Sequence, residues 1–318
     1  MGAIVEVKHL TKYFPTPKGA LHAVDDVSFK IEEGTTLGVV GESGCGKSTL
    51  GRTIIHLQDS TDGQILFDGE DITHVDRKQL SELRHKMQII FQDPFSSLNP
   101  RMTVDDTINE PIRRSGKYSK DEIARETTKL MELVGIDSRM RRAYPHELDG
   151  GRRQRVGIAR ALAMNPRFIV CDEPVSALDV SIQAQILNLL QDLQEERHLT
   201  YMFITHDMSV VRHLSTDIAV MYLGQMVEIS PAKEIFLKTL HPYTKVLLSA
   251  IPSTDIDHPK QRILVKGELV SPIEPKPGCR FYARCPYATE ECTKPQHLEE
   301  VLPKHYVACC HASSLNGL

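Results

Sequence analysis

Apolar and polar positions alternate along the chain in a way that predicts strands and helices in turn. Thr36–Val40 is a short apolar run that stops at a glycine-rich turn, and residues 47–57 behind it suit a helix, so the local order reads strand, loop, helix. In the middle of the chain Ser119 and Glu122 stand as a capping box. Ile123, Leu130, Met131 and Val134 follow at helical spacing as far as Gly135, which predicts a helical region interrupting a sheet. Two further apolar runs, 168–171 and 201–205, read as strands. The helix between them carries Ile182, Ile186, Leu189, Leu190 and Leu193 on one face. Strands alternating with helices imply an α/β fold with a largely parallel sheet. Past about residue 250 the periodicity dissolves into proline-rich polar sequence, which predicts an extension held by something other than a core. No internal repeat or low-complexity segment is present.

Composition narrows the function classes more than the fold. The 318 residues are 41% hydrophobic and 25% charged, with a formal net charge of −4, so neither disorder nor an overall basic field for nucleic acid is indicated. No long apolar run and no leader pattern at the N-terminus are visible, which predicts a cytosolic chain with no span of its own. The seven cysteines are unevenly placed, with five of them between Cys279 and Cys310, and this clustering points to a local metal site rather than a disulfide scaffold.

Three stretches carry recognisable chemistry. Gly41, Glu42, Ser43, Gly44, Cys45, Gly46, Lys47, Ser48 and Thr49 form a complete phosphate loop between strand and helix. Its glycines let backbone N–H groups face phosphate oxygens, Lys47 is placed to bridge the β- and γ-phosphates, and Ser48 to hold Mg²⁺. The apolar run at 168–171 ends in Asp172 and Glu173, at what should be the ligand-bearing edge of a sheet. Asp172 would orient the Mg²⁺ shell, and Glu173 would polarise the water that attacks the γ-phosphate. The run at 201–205 ends in His206, whose imidazole could reach the same phosphate, although a histidine after a buried strand is more often a satisfied surface residue.

The order of these pieces resembles an ABC ATPase over about residues 3–252. Between the phosphate loop and Asp172 lie Phe91-Gln92-Asp93-Pro94 and Leu148-Asp149-Gly150-Gly151-Arg152, and Ser176-Ala-Leu-Asp179 and His206 come after. The resemblance implies an ABC-type ATPase domain over 1–250, with a mostly parallel sheet core, an antiparallel β part and a helical subdomain at about 95–160. It implies that Gln92 senses Mg²⁺ and faces a transmembrane partner, that the loop with Asp149, Gly150 and Gly151 contacts ATP held by an opposing subunit, and that Asp179 joins the two sites. It places Phe14 against adenine, with Tyr13 the alternative, since either ring offers a flat face. Within the superfamily the chain is similar to the ATPases of oligopeptide and dipeptide importers. The residues that carry this are Ser96-Ser-Leu-Asn-Pro100, Asp172 to Val180, His241-Pro-Tyr243, and the tail with Gly278-Cys279-Arg-Phe, Arg284-Cys285-Pro and Val307-Ala-Cys309. The resemblance extends to ATPases that serve transporters of nickel, glutathione or small sugars, so it implies the subfamily more closely than the solute.

That resemblance implies ATP and Mg²⁺ as ligands, a second ATPase subunit that is a different, homologous chain, two transmembrane permease subunits and, indirectly, an extracytoplasmic solute-binding protein. No nucleic-acid partner is expected. The chain would lie peripherally on the cytoplasmic face of the cell membrane. A soluble ABC protein of DNA repair or translation is the rival reading, but such proteins usually carry two ATPase halves or a long coiled coil; a metal-dependent redox or regulatory protein is the third. The 251–318 extension would hold one metal centre on Cys279, Cys285, Cys292 and Cys309, with Cys310 able to replace Cys309. The resemblance suggests a [4Fe–4S] cluster. The spacing favours neither cluster nor Zn²⁺, since four thiolates hold either. Cys45 and Cys171 are expected to be small buried fillers. One departure stands out: Asp149 and Arg152 occupy positions where the family usually has Ser and Gln. A carboxylate facing a phosphate at ~4 Å would repel it by about 4 kcal/mol at an effective dielectric near 20, which puts the composite site completed by this loop in doubt.

Overall fold

The computed structural model describes residues 2–251, 262–265, 267 and 271–318. Its twelve strands are β1 (Ala3–Thr16), β2 (Gly19–Glu32), β3 (Thr36–Val40), β4 (Asp62–Phe67), β5 (Glu70–Asp71), β6 (Met87–Ile90), β7 (Phe168–Asp172), β8 (Thr200–Thr205), β9 (Asp217–Tyr222), β10 (Gln225–Pro231), β11 (Glu299–Leu302) and β12 (His305–Val307). The described residues fall into two compact units, one of Met1–His74 with Phe203–Leu318 and one of Val75–Met202, so that the division lies within β8.

The first unit holds two sheets. One is antiparallel in the order β2-β1-β4-β5, with Val5 opposite Ile31 and Val7 opposite Phe29. In the other β3 pairs in parallel with β9, Val40 lying opposite Val220, and β10, β12 and β11 continue the sheet antiparallel beyond β9. All five residues of β3 are buried, as a strand covered on both faces requires. Gly38 makes that cover possible on one side, because a Cβ there would lie 2.4 Å from Ser215 Oγ and 2.9 Å from Val211. The extension does not hang free: β12 joins β10 with Glu228 opposite Val307, and Leu240, Val307 and Ala312 form a small core of their own.

In the second unit β6 and β7 run parallel, Met87 opposite Phe168 and Ile90 opposite Cys171. The helix Gly150–Leu162 packs on β6, and the helices Val104–Ser115, Lys120–Leu133 and Val180–Arg197 pack on that helix in turn. The expected capping box is formed: the Ser119 side chain accepts from Glu122 N, and Ser119 N donates to the Glu122 carboxylate at 2.7 Å. Of the apolar face read in the last of these helices, Ile186, Leu190 and Leu193 are buried.

Candidate nucleotide site and cysteine centre

The phosphate loop joins β3 to the helix Lys47–Ile54 in the first unit. Gly46 caps that helix at φ 104°, and a Cβ on it would stand 1.9 Å from Ala23 O, so neither the conformation nor the space admits another residue. Lys47 is only 4% exposed; its ammonium donates to Gly41 O at 2.8 Å and Glu42 O at 3.0 Å, folded back onto the loop that it serves. No acidic residue occupies the first turn, so the positive end of the helix is unopposed there. Glu42 N donates to the Tyr243 hydroxyl at 2.9 Å. Cys45 is buried, and burial pushes its thiol above the usual range, in keeping with a filler rather than a nucleophile. Of the two aromatics, Tyr13 stacks on His22 at 3.9 Å and donates its hydroxyl to Asp25, which commits one ring face. Phe14 is half-buried and has the Lys12 ammonium 4.9 Å from its centroid.

In the second unit β7 delivers Asp172 fully buried and Glu173 just beyond it. Glu173 sits at φ 47°, a left-handed conformation that costs a non-glycine residue about 1–3 kcal/mol. Gln92, on the loop after β6, donates through Nε2 to Glu173 Oε2 at 2.8 Å, so two residues singled out separately in the sequence are brought together. The Asp149 carboxylate is engaged within its own helix. It caps Gly150–Leu162 by accepting from Arg152 N at 2.7 Å, and the Arg152 guanidinium lies 3.3 Å away. Asp179 caps the helix Val180–Arg197 in the same manner, accepting from Ile182 N at 3.0 Å. His206 is exposed immediately after β8.

The tail folds around its cysteines. Cys279, Cys285, Cys292, Cys309 and Cys310 all line one cavity with His241, Phe281, Gln296 and His311. Cys292 Sγ and Cys310 Sγ are 3.7 Å apart, and these two form with His311 a group whose ligand atoms lie within 4.8 Å of one another. Burial pushes the Cys279 thiol up to about 12 and that of Cys310 to about 11, while Cys285 and Cys309 shift the same way. His241 is 1% exposed, accepts from Tyr243 N through Nδ1, and its Nε2 has no hydrogen-bond partner among the described residues. Neither histidine is marked as a ligand by the sequence: His241 stands in the His241-Pro-Tyr243 motif, and nothing about its position predicts that it lines a cavity with cysteines so far along the chain.

Comparison with known proteins shows the family. Residues 24–176 match the ABC transporter family and residues 227–292 the oligopeptide/dipeptide transporter C-terminal region. The oligopeptide transport ATP-binding protein AppF of Bacillus subtilis (strain 168) is 49% identical over 317 residues, covering 96% of either chain. The oligopeptide transport ATP-binding protein OppF of the same organism is 52% identical over 288 residues, 86% of this chain and 94% of that one. Among solved structures, the dimeric post-hydrolysis state of the ATP-binding cassette MJ0796 bound to ADP and Pi superposes with a TM-score of 0.66 at 30% identity, over 72% of this chain and 98% of that one. The cassette cbiO1 from Clostridium perfringens gives 0.67 at 29% identity, over 75% and 92%. The chain belongs to the ABC-transporter ATP-binding proteins, in their oligopeptide and dipeptide branch, and is an ATPase.

Proposed function

We propose that the chain binds MgATP on the loop Gly41 to Thr49 and hydrolyses it with Glu173 as the base, to energise import of oligopeptides or dipeptides through a membrane transporter. The observation that carries the catalytic assignment is the 2.8 Å hydrogen bond from Gln92 to a Glu173 held in a strained backbone conformation. Lys47 and the loop N–H groups bind the phosphates, Ser48, Gln92 and Asp172 hold Mg²⁺, and Phe14 stacks on adenine. Glu173 accepts the proton of the attacking water, with His206 steadying the γ-phosphate. Gly150 and Gly151, following Asp149, serve the nucleotide of a second subunit. Among the described residues no helix is long and apolar enough to cross a membrane, so coupling to transport requires permease subunits, against which the chain sits on the cytoplasmic face. The second ATPase subunit is a different, homologous chain. Glu173→Gln should keep ATP affinity and lose most steady-state hydrolysis, because metal and phosphate contacts survive while the base is gone; turnover near that of the parent chain would reject the role.

The second part of the reading concerns the tail, from about residue 251 onward. Its donor set fits a metal: soft thiols share one cavity, and a buried imidazole N–H on its wall lacks an acceptor that metal-bound sulfur would provide. Cys279, Cys285, Cys292 and Cys309 would hold a [4Fe–4S] cluster or Zn²⁺, with Cys310 the replacement for Cys309. When bound it would supply a cross-link for a tail with a small core. Anaerobic purification followed by iron, sulfide and zinc analysis separates the two; zinc without sulfide rejects the cluster and keeps the site.

A further inference from the structure

Arg284 stands immediately before Cys285, 242 residues from Glu42, yet its guanidinium forks onto that phosphate-loop carboxylate. Nη1 donates to Glu42 Oε2 at 2.9 Å and Nη2 to Oε1 at 3.1 Å, and Nη1 also reaches the Tyr222 hydroxyl at 3.2 Å. A planar fork meeting both carboxylate oxygens is the strong form of such a pair. The side chains are 13% and 27% exposed, so water and salt screen them far less than a surface bridge. The guanidinium lies 5.9 Å from the ring centres of both Tyr222 and Phe281, and these rings pack on Tyr243, whose hydroxyl takes the Glu42 N–H. Both the carboxylate and the backbone of Glu42 are therefore gripped from outside the loop. Arg280, next to Cys279, makes a parallel link to Asp25, which also receives the Tyr13 hydroxyl.

Glu42 is a carboxylate in a loop whose N–H groups gather to receive an anion, so an unneutralised charge there would repel each phosphate that binds. We infer that Arg284 is a positioning residue for nucleotide binding: by neutralising and fixing Glu42 it keeps the phosphate loop receptive to a polyphosphate, and it makes ATP affinity depend on the cysteine-rich extension. This rests on Gly41 to Thr49 being the nucleotide loop. A merely structural pair would cost stability without regard to how many phosphates the ligand carries, whereas an electrostatic one weakens ATP more than ADP.

The test uses the full chain and measures affinity for MgATP and MgADP by calorimetry, with KM and kcat taken in the assembled transporter. Arg284→Met should weaken MgATP roughly tenfold and MgADP less, raising KM while kcat holds. Arg284→Lys, which keeps the charge but not the fork, should fall between. The double variant Glu42→Gln with Arg284→Met should recover most of the lost affinity, since no charge is then left unpaired. Equal losses for the two nucleotides, no loss, or no recovery in the double variant would overturn the inference. Should Arg284→Met fail to fold, the lysine and double variants still decide it. Lys47→Ala separates the two levels: if it leaves MgATP affinity intact, the loop reading itself fails, whereas if it abolishes affinity and Arg284→Met does not weaken it, only the role of Arg284 falls.

Discussion

Two single residues hold backbone conformations that their neighbours over-determine, and the outcomes of changing them should differ. Gly46 needs its missing Cβ on two counts, a φ of 104° and an Ala23 carbonyl 1.9 Å from where that atom would be. Gly46→Ala must therefore shift the loop off the end of β3, and MgATP affinity should drop by roughly five- to a hundredfold, on the order of the 1–3 kcal/mol strain involved, as read by equilibrium binding. Unchanged affinity would show that the loop can relax without losing its phosphate contacts. Glu173, at φ 47°, carries strain that is retained in Glu173→Gln but relieved by asparagine, which tolerates the left-handed region. Glu173→Asn should unfold about 1 kcal/mol later than Glu173→Gln in denaturant, with both nearly inactive. Equal midpoints would mean that the conformation costs little. The residue types at the phosphate loop and at Asp172-Glu173 were legible because each motif is contiguous. His241 and Arg284 were not, since their meaning lies in partners such as Glu42, which local pattern cannot reach.

At the scale of elements, the clearest strands and helices in the sequence were those whose pattern has a single cause. Thr36–Val40 is buried throughout because both of its faces are covered, and Lys120–Leu133 opens on a capping box that the structure forms. β1 and β2 were not read as strands from the pattern, for their pairing shifts register at several points and interrupts the alternation a half-buried strand would show. The tail was expected as an appendage without a core of its own, yet it contributes β11 and β12 to a sheet; strands of four and three residues give too little periodicity to find. The Asp149 departure changes meaning at this scale. Its carboxylate was expected to face a phosphate, and the structure gives it a local task as an N-cap paired with Arg152. Asp149→Ala should cost about 1 kcal/mol of stability, whereas Asp149→Ser, which keeps a capping oxygen, should cost a few tenths at most. Denaturant midpoints of the two variants decide this; an equal loss in both would show that the cap contributes nothing.

For the whole molecule the same residues set what the chain can do alone. A helix N-terminus offers a partial positive charge to an incoming phosphate, and Gly150–Leu162 presents that end behind Gly150 and Gly151. Asp149 takes up part of that charge as the cap, and its side chain remains 59% exposed, so a second subunit's nucleotide would meet a carboxylate paired with an Arg152 that is itself 54% exposed. Such a surface pair is worth at most about 1 kcal/mol, less than the several kcal/mol by which a carboxylate close to a triphosphate repels it. A homodimer of this chain would carry the handicap at both composite sites, whereas a heterodimer with a subunit bearing the usual Ser and Gln would carry it at one. The isolated chain should therefore release phosphate slowly, and adding such a partner should raise turnover per nucleotide loop at least tenfold. Asp149→Ser combined with Arg152→Gln should raise the turnover of the isolated chain toward that level, with MgATP affinity at its own loop unchanged. If the unaltered chain alone turns over as fast as the assembled transporter, the asymmetry is not real, and the Asp149–Arg152 pair is no more than a helix cap.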